Sequence, residues 1–331
     1  MQTAPDPTTQ PLNHPTTLTL ATRGSKLALA QSEGVRDELQ RCHPGLRVEL
    51  LILKTKGDRV LDTALPQIEG KGLFTKEIED ALLDGRADLA VHSLKDLPTD
   101  LPPGLTVGAM PERADPRDVL VCRVGGFVPE PAAGSGTNPP TRLGILPAGA
   151  LVGTCSPRRL AQLAHHRPDL RFAPIRGNVD TRLRKLADEN LDAIVLAAAG
   201  LVRLGLADRI TQFLPPDISL PAPGQGIIGV EARADDTATL RLLAAINSPA
   251  AQTCALAERA VLAGLGGGCQ TPIGALAQVA GDTCTVEGAV LGDRGEPCVR
   301  ARLSGPATDP VGVGRRLAEE LLAHGAASLI H

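Results

Sequence analysis

The chain has 331 residues, a formal net charge of −3 and 43% hydrophobic residues, but only four Phe, no Trp and no Tyr. The length suggests two or three domains with Leu/Val/Ile/Ala cores. The scarcity of aromatics and of net positive charge argues against single-strand nucleic-acid binding and against a basic field for nucleic acid or anionic membrane.

Seven cysteines stand at Cys42, Cys122, Cys155, Cys254, Cys269, Cys284 and Cys298. The number is odd and no CxxC pair occurs. That excludes a disulfide scaffold and a zinc module, leaves no metal expected, and fits a reduced cytoplasmic setting. No 18-residue apolar run suggests a membrane span.

Residues 1–17 are rich in Pro, Thr and Gln with no apolar segment, and read as a disordered lead-in rather than a signal peptide. Residues 18–21 read as a strand running into Thr22-Arg23-Gly24-Ser25, with Ser25 as N-cap of a helix over 26–39. The stretch 46–53 is apolar nearly throughout, the pattern of a strand covered on both faces. Phe74, Ile78 and Leu82 are spaced by four and predict a helix stopping near Gly85, followed by a strand at 88–91. The rhythm returns with Leu183, Leu186 and Ala187, in a helix from Asp180 or Thr181 to near Asn190, and a strand at 192–195. Two helix-then-strand units suggest two α/β lobes of similar build. The Gly/Pro/Ala-rich stretch 127–150 reads as an inserted surface loop, and a strand at 227–231 could return to the first lobe. Beyond about Pro249 a helix at 251–263 leads to Cys269. Alternating runs near 273–279, 285–291 and 299–303 read as an antiparallel sheet, and a last helix spans about 312–324.

Arginines recur at element boundaries. Arg23 precedes a helix start, Arg158 and Arg159 follow Gly153-Thr154-Cys155-Ser156-Pro157, Arg176 opens Arg176-Gly177-Asn178-Val179-Asp180-Thr181-Arg182, and Arg203 follows Ala199-Gly200. Helix N-termini and bidentate guanidiniums both favour carboxylates, so the set predicts a cleft for a polyanionic small molecule. Lys95 and Asp96 sit just past the strand at 88–91, where open α/β sheets meet their ligands. In Gly264-Leu265-Gly266-Gly267-Gly268-Cys269, three glycines bare the backbone beside one sulfur. A structural reason alone is a poor account of them, since glycine packs nothing and loses more entropy on folding.

Several stretches, in this order and spacing, resemble the porphobilinogen deaminase (hydroxymethylbilane synthase) family from about residue 18 to the C-terminus. They are Ala21-Thr22-Arg23-Gly24-Ser25, Lys54-Thr55-Lys56-Gly57-Asp58, Gly70-Lys71-Gly72-Leu73-Phe74, Val91-His92-Ser93-Leu94-Lys95-Asp96, Arg176 to Leu183, Pro223-Gly224-Gln225-Gly226 and the cysteine loop. The resemblance implies an α/β fold of two lobes similar to type II periplasmic binding proteins, plus a small C-terminal α+β domain. The expected limits are 18–116 with 222–246, then 117–221, then 247–331. It implies a cytoplasmic, monomeric transferase of porphyrin and haem biosynthesis. Such an enzyme joins four porphobilinogen units head to tail, releases ammonia each time, and finally lets water free hydroxymethylbilane.

By the same resemblance Cys269 holds a dipyrromethane cofactor by a thioether, and Asp96 is the catalytic carboxylate that stabilises positive charge as the amine leaves. Each pyrrole carries an acetate and a propionate. That explains Arg23, Lys95, Arg158, Arg159, Arg176, Arg182 and Arg203, with Ser25 and Ser156 as further donors. Gln31, Lys71, Phe74, Thr154 and Gln225 match cleft positions, and 58–71 matches a mobile loop. Pro157 departs from the family pattern, and proline's fixed φ could reposition the loop carrying Arg158. Two other readings compete. A bilobal receptor for a carboxylate-rich ligand explains the lobes but not the third domain or Cys269. A cysteine hydrolase would need His92 as the base for Cys269.

Overall fold

The computed structural model describes residues 16–55, 57, 75–123, 143, 146–268 and 271–330. Residues 1–15 of the expected tail, the loop 58–71 with Lys71, Phe74, most of the 127–150 insert, and Cys269 lie outside the described residues.

Among the described residues the strands form three sheets. The first contains β1 (Thr17–Arg23), β2 (Arg47–Leu53), β3 (Leu89–Ser93), β4 (Leu105–Ala109) and β10 (Ile228–Arg233), in the order β2-β1-β3-β10-β4. The second contains β5 (Asp118–Cys122), β6 (Leu151–Gly153), β7 (Arg171–Ala173), β8 (Ala193–Ala197) and β9 (Gln212–Leu214), in the order β7-β6-β8-β5-β9. In each, three neighbouring strands are parallel and a fourth runs antiparallel between its neighbours: β10 between β3 and β4, β5 between β8 and β9. The sheets therefore share one topology, and two chain crossings join them, from β4 to β5 and from β9 to β10. This is the two-lobe α/β build that the repeated helix–strand rhythm suggested.

Local chemistry explains the boundaries. Ser25 caps helix Lys26–Cys42, its hydroxyl accepting from Ala28 N at 3.3 Å. Helix Lys76–Leu83 buries Ile78 and Leu82 on the first sheet and ends before Gly85, whose φ is +78°. Pro157 occupies the first turn of helix Pro157–His166, where the N–H it lacks would have no intrahelical partner, so it starts the helix rather than disturbing it. Two expectations are corrected. β1 begins at Thr17, inside the expected tail, because Thr17 pairs with Arg47. β2 is an edge strand whose Ile52 is 55% exposed, so it is not covered on both faces.

The third sheet is an antiparallel meander of β11 (Ile273–Ala280), β12 (Thr283–Leu291) and β13 (Cys298–Pro306). Helices Pro249–Gly264 and Pro310–Ala323 pack on it around Val261, Ile273, Val286, Val290, Leu317 and Leu321. This is the expected α+β unit. Glu258, fully buried on the first of these helices, ties it to the rest. It accepts from Arg113 at 2.6 and 3.2 Å, from Gly224 N at 2.7 Å and from Ala277 N at 2.7 Å.

Candidate functional site

A cleft of about 740 Å³ opens between the first two sheets. Its walls are the segments that leave the carboxyl ends of the parallel strands, where such sheets place ligands. Arg23 ends β1, Lys54 follows β2, and Lys95 and Asp96 lie in the short 3₁₀ turn Leu94–Asp96 after β3. From the second sheet come Arg159 of helix Pro157–His166, Arg176 beyond β7, Arg182 of helix Val179–Asp188, and Arg203 at the end of helix Ala198–Arg203. Ser25, Gln31 and Gln225 complete the predicted residues that line it. Among the described lining residues, Arg23, Lys54, Lys95, Arg159, Arg176, Arg182 and Arg203 face a single carboxylate, Asp96.

Two of these side chains donate to neutral backbone acceptors. Arg182 Nε donates to Gly177 O at 2.8 Å and Arg203 Nη2 to Gly226 O at 2.8 Å. Burial pushes both guanidiniums below their usual pKa, and for Arg182 the nearby Arg159 adds to the effect. Lys95 falls further, to about 8: burial is the main cause, Arg159 and Arg158 add to it, and Asp96 and Asp118 oppose it. Its Nζ donates to Gln225 Oε1 at 3.3 Å. Gln31 Nε2 donates to Ser93 Oγ at 3.0 Å, which seats the helix against β3.

The Pro223-Gly224-Gln225-Gly226 motif has a backbone reason. Gly226 has a φ of +89°, and a Cβ there would lie 2.5 Å from Ala114 O on the other crossing. The chain must pass this closely to set Gln225 at the cleft.

Among the described residues, three of the predicted ones do not line the cleft. Arg158 is 4% exposed, and its Nη1 donates to Asp118 at 2.8 Å and to Leu220 O at 2.6 Å. Ser156 caps the helix, accepting from Arg159 N at 3.4 Å, and Thr154 Oγ1 accepts from Ser156 N at 3.1 Å. The three shape the loop that presents Arg159. His92, the base of the hydrolase reading, is buried with Nε2 3.1 Å from Glu231 Oε2.

Asp118 was missed by sequence reasoning and is central here. It is fully buried and accepts from both Arg158 and Arg159. Burial alone would raise its pKa, yet the two guanidiniums hold the carboxyl well below the usual range. Its only sequence signal is an acidic residue opening an apolar strand, which names no partner.

The glycine loop also reads differently. Gly266 has a φ of +67° just past the end of helix Pro249–Gly264, and a Cβ on Gly267 would collide with Ile273 and Thr271. Two of the three glycines thus have structural reasons, contrary to expectation, whereas a Cβ on Gly268 would meet nothing within 4 Å.

The donor set fits a dipyrromethane, because a group carrying several carboxylates needs several cations and few competing acids. Comparison with known proteins agrees. A family model described as "Porphobilinogen deaminase, dipyromethane cofactor binding domain" matches residues 18–241, and one described as "Porphobilinogen deaminase, C-terminal domain" matches 252–323. A protein of Roseiflexus sp. (strain RS-1) named porphobilinogen deaminase is 52% identical over 314 residues, covering 95% of this chain and 98% of its own. One of the same name from Gloeobacter violaceus (strain ATCC 29082 / PCC 7421) is 51% identical over 316 residues, covering 95% and 93%. Among solved structures, the methionine-binding protein MetQ aligns with 70% of this chain and 91% of its own at 12% identity and a TM-score of 0.41. At that distance the two-lobe fold rests on the shared strand order and not on the neighbour.

Proposed function

The chain belongs to the porphobilinogen deaminase family, and from that premise we propose how its own residues carry the reaction. It is an enzyme, a transferase of tetrapyrrole synthesis. It condenses four porphobilinogen molecules head to tail on a dipyrromethane primer, releases ammonia at each addition, and frees hydroxymethylbilane by hydrolysis. We place it among the alkyl- or aryl-transferring enzymes.

The observation that carries the residue-level reading is the cleft in which, among the described residues, seven cations meet one carboxylate. Arg23, Arg159, Arg176, Arg182 and Arg203 hold acetate and propionate groups by bidentate hydrogen bonds, with Ser25 as a further donor. Lys95 holds one more as a point charge. When bound, the dipyrromethane supplies the pyrrole carbon on which the product is extended. Asp96, exposed to the cleft, accepts from the substrate's pyrrole N–H and stabilises the positive charge that develops as the amine leaves. The same carboxylate takes and returns a proton at its oxygen. Gln31 and Gln225 orient the residues around it. Arg158, Ser156 and Thr154 act one step back, by fixing Arg159.

In this reading Cys269 carries the primer by a thioether. The domain limits are 18–116 with 222–246, 117–221, and 247–331, supported by the separate sheets. The reading also makes the chain a cytoplasmic monomer that binds no nucleic acid. No helix among the described residues is long and apolar enough to cross a membrane.

The test is the intact mass of the purified chain followed by peptide mapping. The expected result is an added dipyrromethane on Cys269 that survives reductant and denaturation, with Cys155 unmodified. An active protein with bare Cys269 would overturn the assignment.

A further inference from the structure

Asp118 opens β5, immediately after the crossing from the first sheet to the second. Gln225 lies on the returning crossing between β9 and β10. The two meet: Gln225 Nε2 donates to Asp118 Oδ1 at 2.9 Å and to Pro116 O at 2.7 Å. On one side, Gln225 Oε1 accepts from Lys95 of the first-sheet wall. On the other, Asp118 Oδ1 accepts from Arg159 Nε and Nη2 of the second-sheet wall at 3.0 and 2.7 Å. Asp118 Oδ2 takes Arg158 Nη1 and Ser219 Oγ, each at 2.8 Å. The carboxylate thus has its acceptor positions occupied by donors from the 157–166 helix and from the return crossing.

We propose that Asp118 is a positioning residue that registers the two cationic walls of the cleft to each other, holding Arg159 directly and Lys95 through Gln225. Three physical points support this. Asp118 is buried, so its hydrogen bonds are neither screened nor exchanged with water. Each residue of the chain Lys95–Gln225–Asp118–Arg159 fixes the next by a directional bond, and Arg159 is pinned a second time by Val195 O at 3.0 Å. One carboxylate balances only one of two buried guanidiniums, so the cluster keeps a net positive charge for a carboxylated ligand to meet. A ligand bound to both walls at once requires that their spacing be set in advance, which lowers the ordering cost of binding. This role rests on the cleft being the polycarboxylate site.

The test uses the full chain with Asp118→Asn and, should that variant fold poorly, Gln225→Met. Two readouts apply. The first is the pH dependence of Lys95 acylation, followed by peptide mass; it needs no turnover. The charged groups that act most on Lys95 are Asp96, Asp118, Arg158 and Arg159, and Arg23, Arg176, Arg182 and Arg203 line the same cleft. Removing the Asp118 charge, or the amide that accepts from the ammonium, should move the midpoint below that of the parent. The second is steady-state kinetics, where KM for porphobilinogen should rise about tenfold or more with a smaller change in kcat. A folded Gln225→Met with the parental Lys95 midpoint and KM within about threefold would overturn the proposal. If the parent bound no porphobilinogen, the functional reading would fail, and the Lys95 midpoint alone would still decide whether the register exists.

Discussion

Removing the Glu258 side chain should unfasten the third sheet from the two crossings. Glu258 is fully buried and saturated: its two oxygens take Arg113 Nη1 and Nη2, Gly224 N and Ala277 N. Glu258→Ala leaves the Arg113 side chain, 13% exposed, without its counter-charge, and orphans two backbone N–H groups. Breaking a buried pair by deleting one partner costs about 3–5 kcal/mol. An orphaned buried donor adds about 1–3 kcal/mol before relaxation, so the upper end of the first range is expected. Arg113 also donates to Gln225 O at 3.0 Å, so the disturbance reaches the cleft. The chain has no Trp or Tyr, so urea unfolding is followed by far-UV circular dichroism, with hydrogen exchange by mass spectrometry over 221–227 and 273–279. The parent should resist; the variant should lose about 5 kcal/mol, or show an early separate transition as the units uncouple. Exchange should accelerate in both segments. A variant within about 1 kcal/mol of the parent, with unchanged exchange in those segments, would refute the reasoning.

Asp96→Asn should lower kcat about 10²–10³-fold while the circular-dichroism spectrum and melting point stay parental, because a fixed charge of this kind acts mainly on the transition state; near-parental rates would remove Asp96 from the mechanism. Arg182→Lys should stall with partly extended chains attached, seen as a ladder of intact masses, since lysine cannot offer the bidentate fork; normal turnover with no ladder speaks against the polycarboxylate cleft. The Glu79 carboxyl is pushed above the usual range, chiefly by burial, with Glu231 adding and Thr75 and His92 opposing. A raised folded pKa means the fold prefers the protonated acid, so its contribution is complete below about pH 4 and is lost as pH rises through the shifted value. Glu79→Gln should therefore melt higher than the parent at pH 7 and gain little at pH 4; an equal gain at both would show that the shift is absent.

How much of this was legible in the chain depends on the range of the forces involved. The helix from Lys26 was readable because a capping serine acts within four residues, whereas Pro157, read as a disturbance of its loop, proved to start a helix. The cationic cleft was readable because strand ends converge in open α/β sheets, so Arg23, Lys95, Asp96, Arg176 and Arg203 could be placed together without knowing any distance. The spacing of the motifs was enough to recognise the family. Tertiary structure alone decided which arginines face the cleft. Arg158 and Arg159 are adjacent and both bond Asp118, yet one turns to Leu220 O and the other lines the wall. It also decided the counter-charges. Asp118 and Glu258 bond partners 19 to 145 residues away in the chain, and no local pattern marks them. The reason is physical: caps, turns and periodicity are satisfied within a few residues, whereas a buried charge must be paired by whatever the folded chain brings to it.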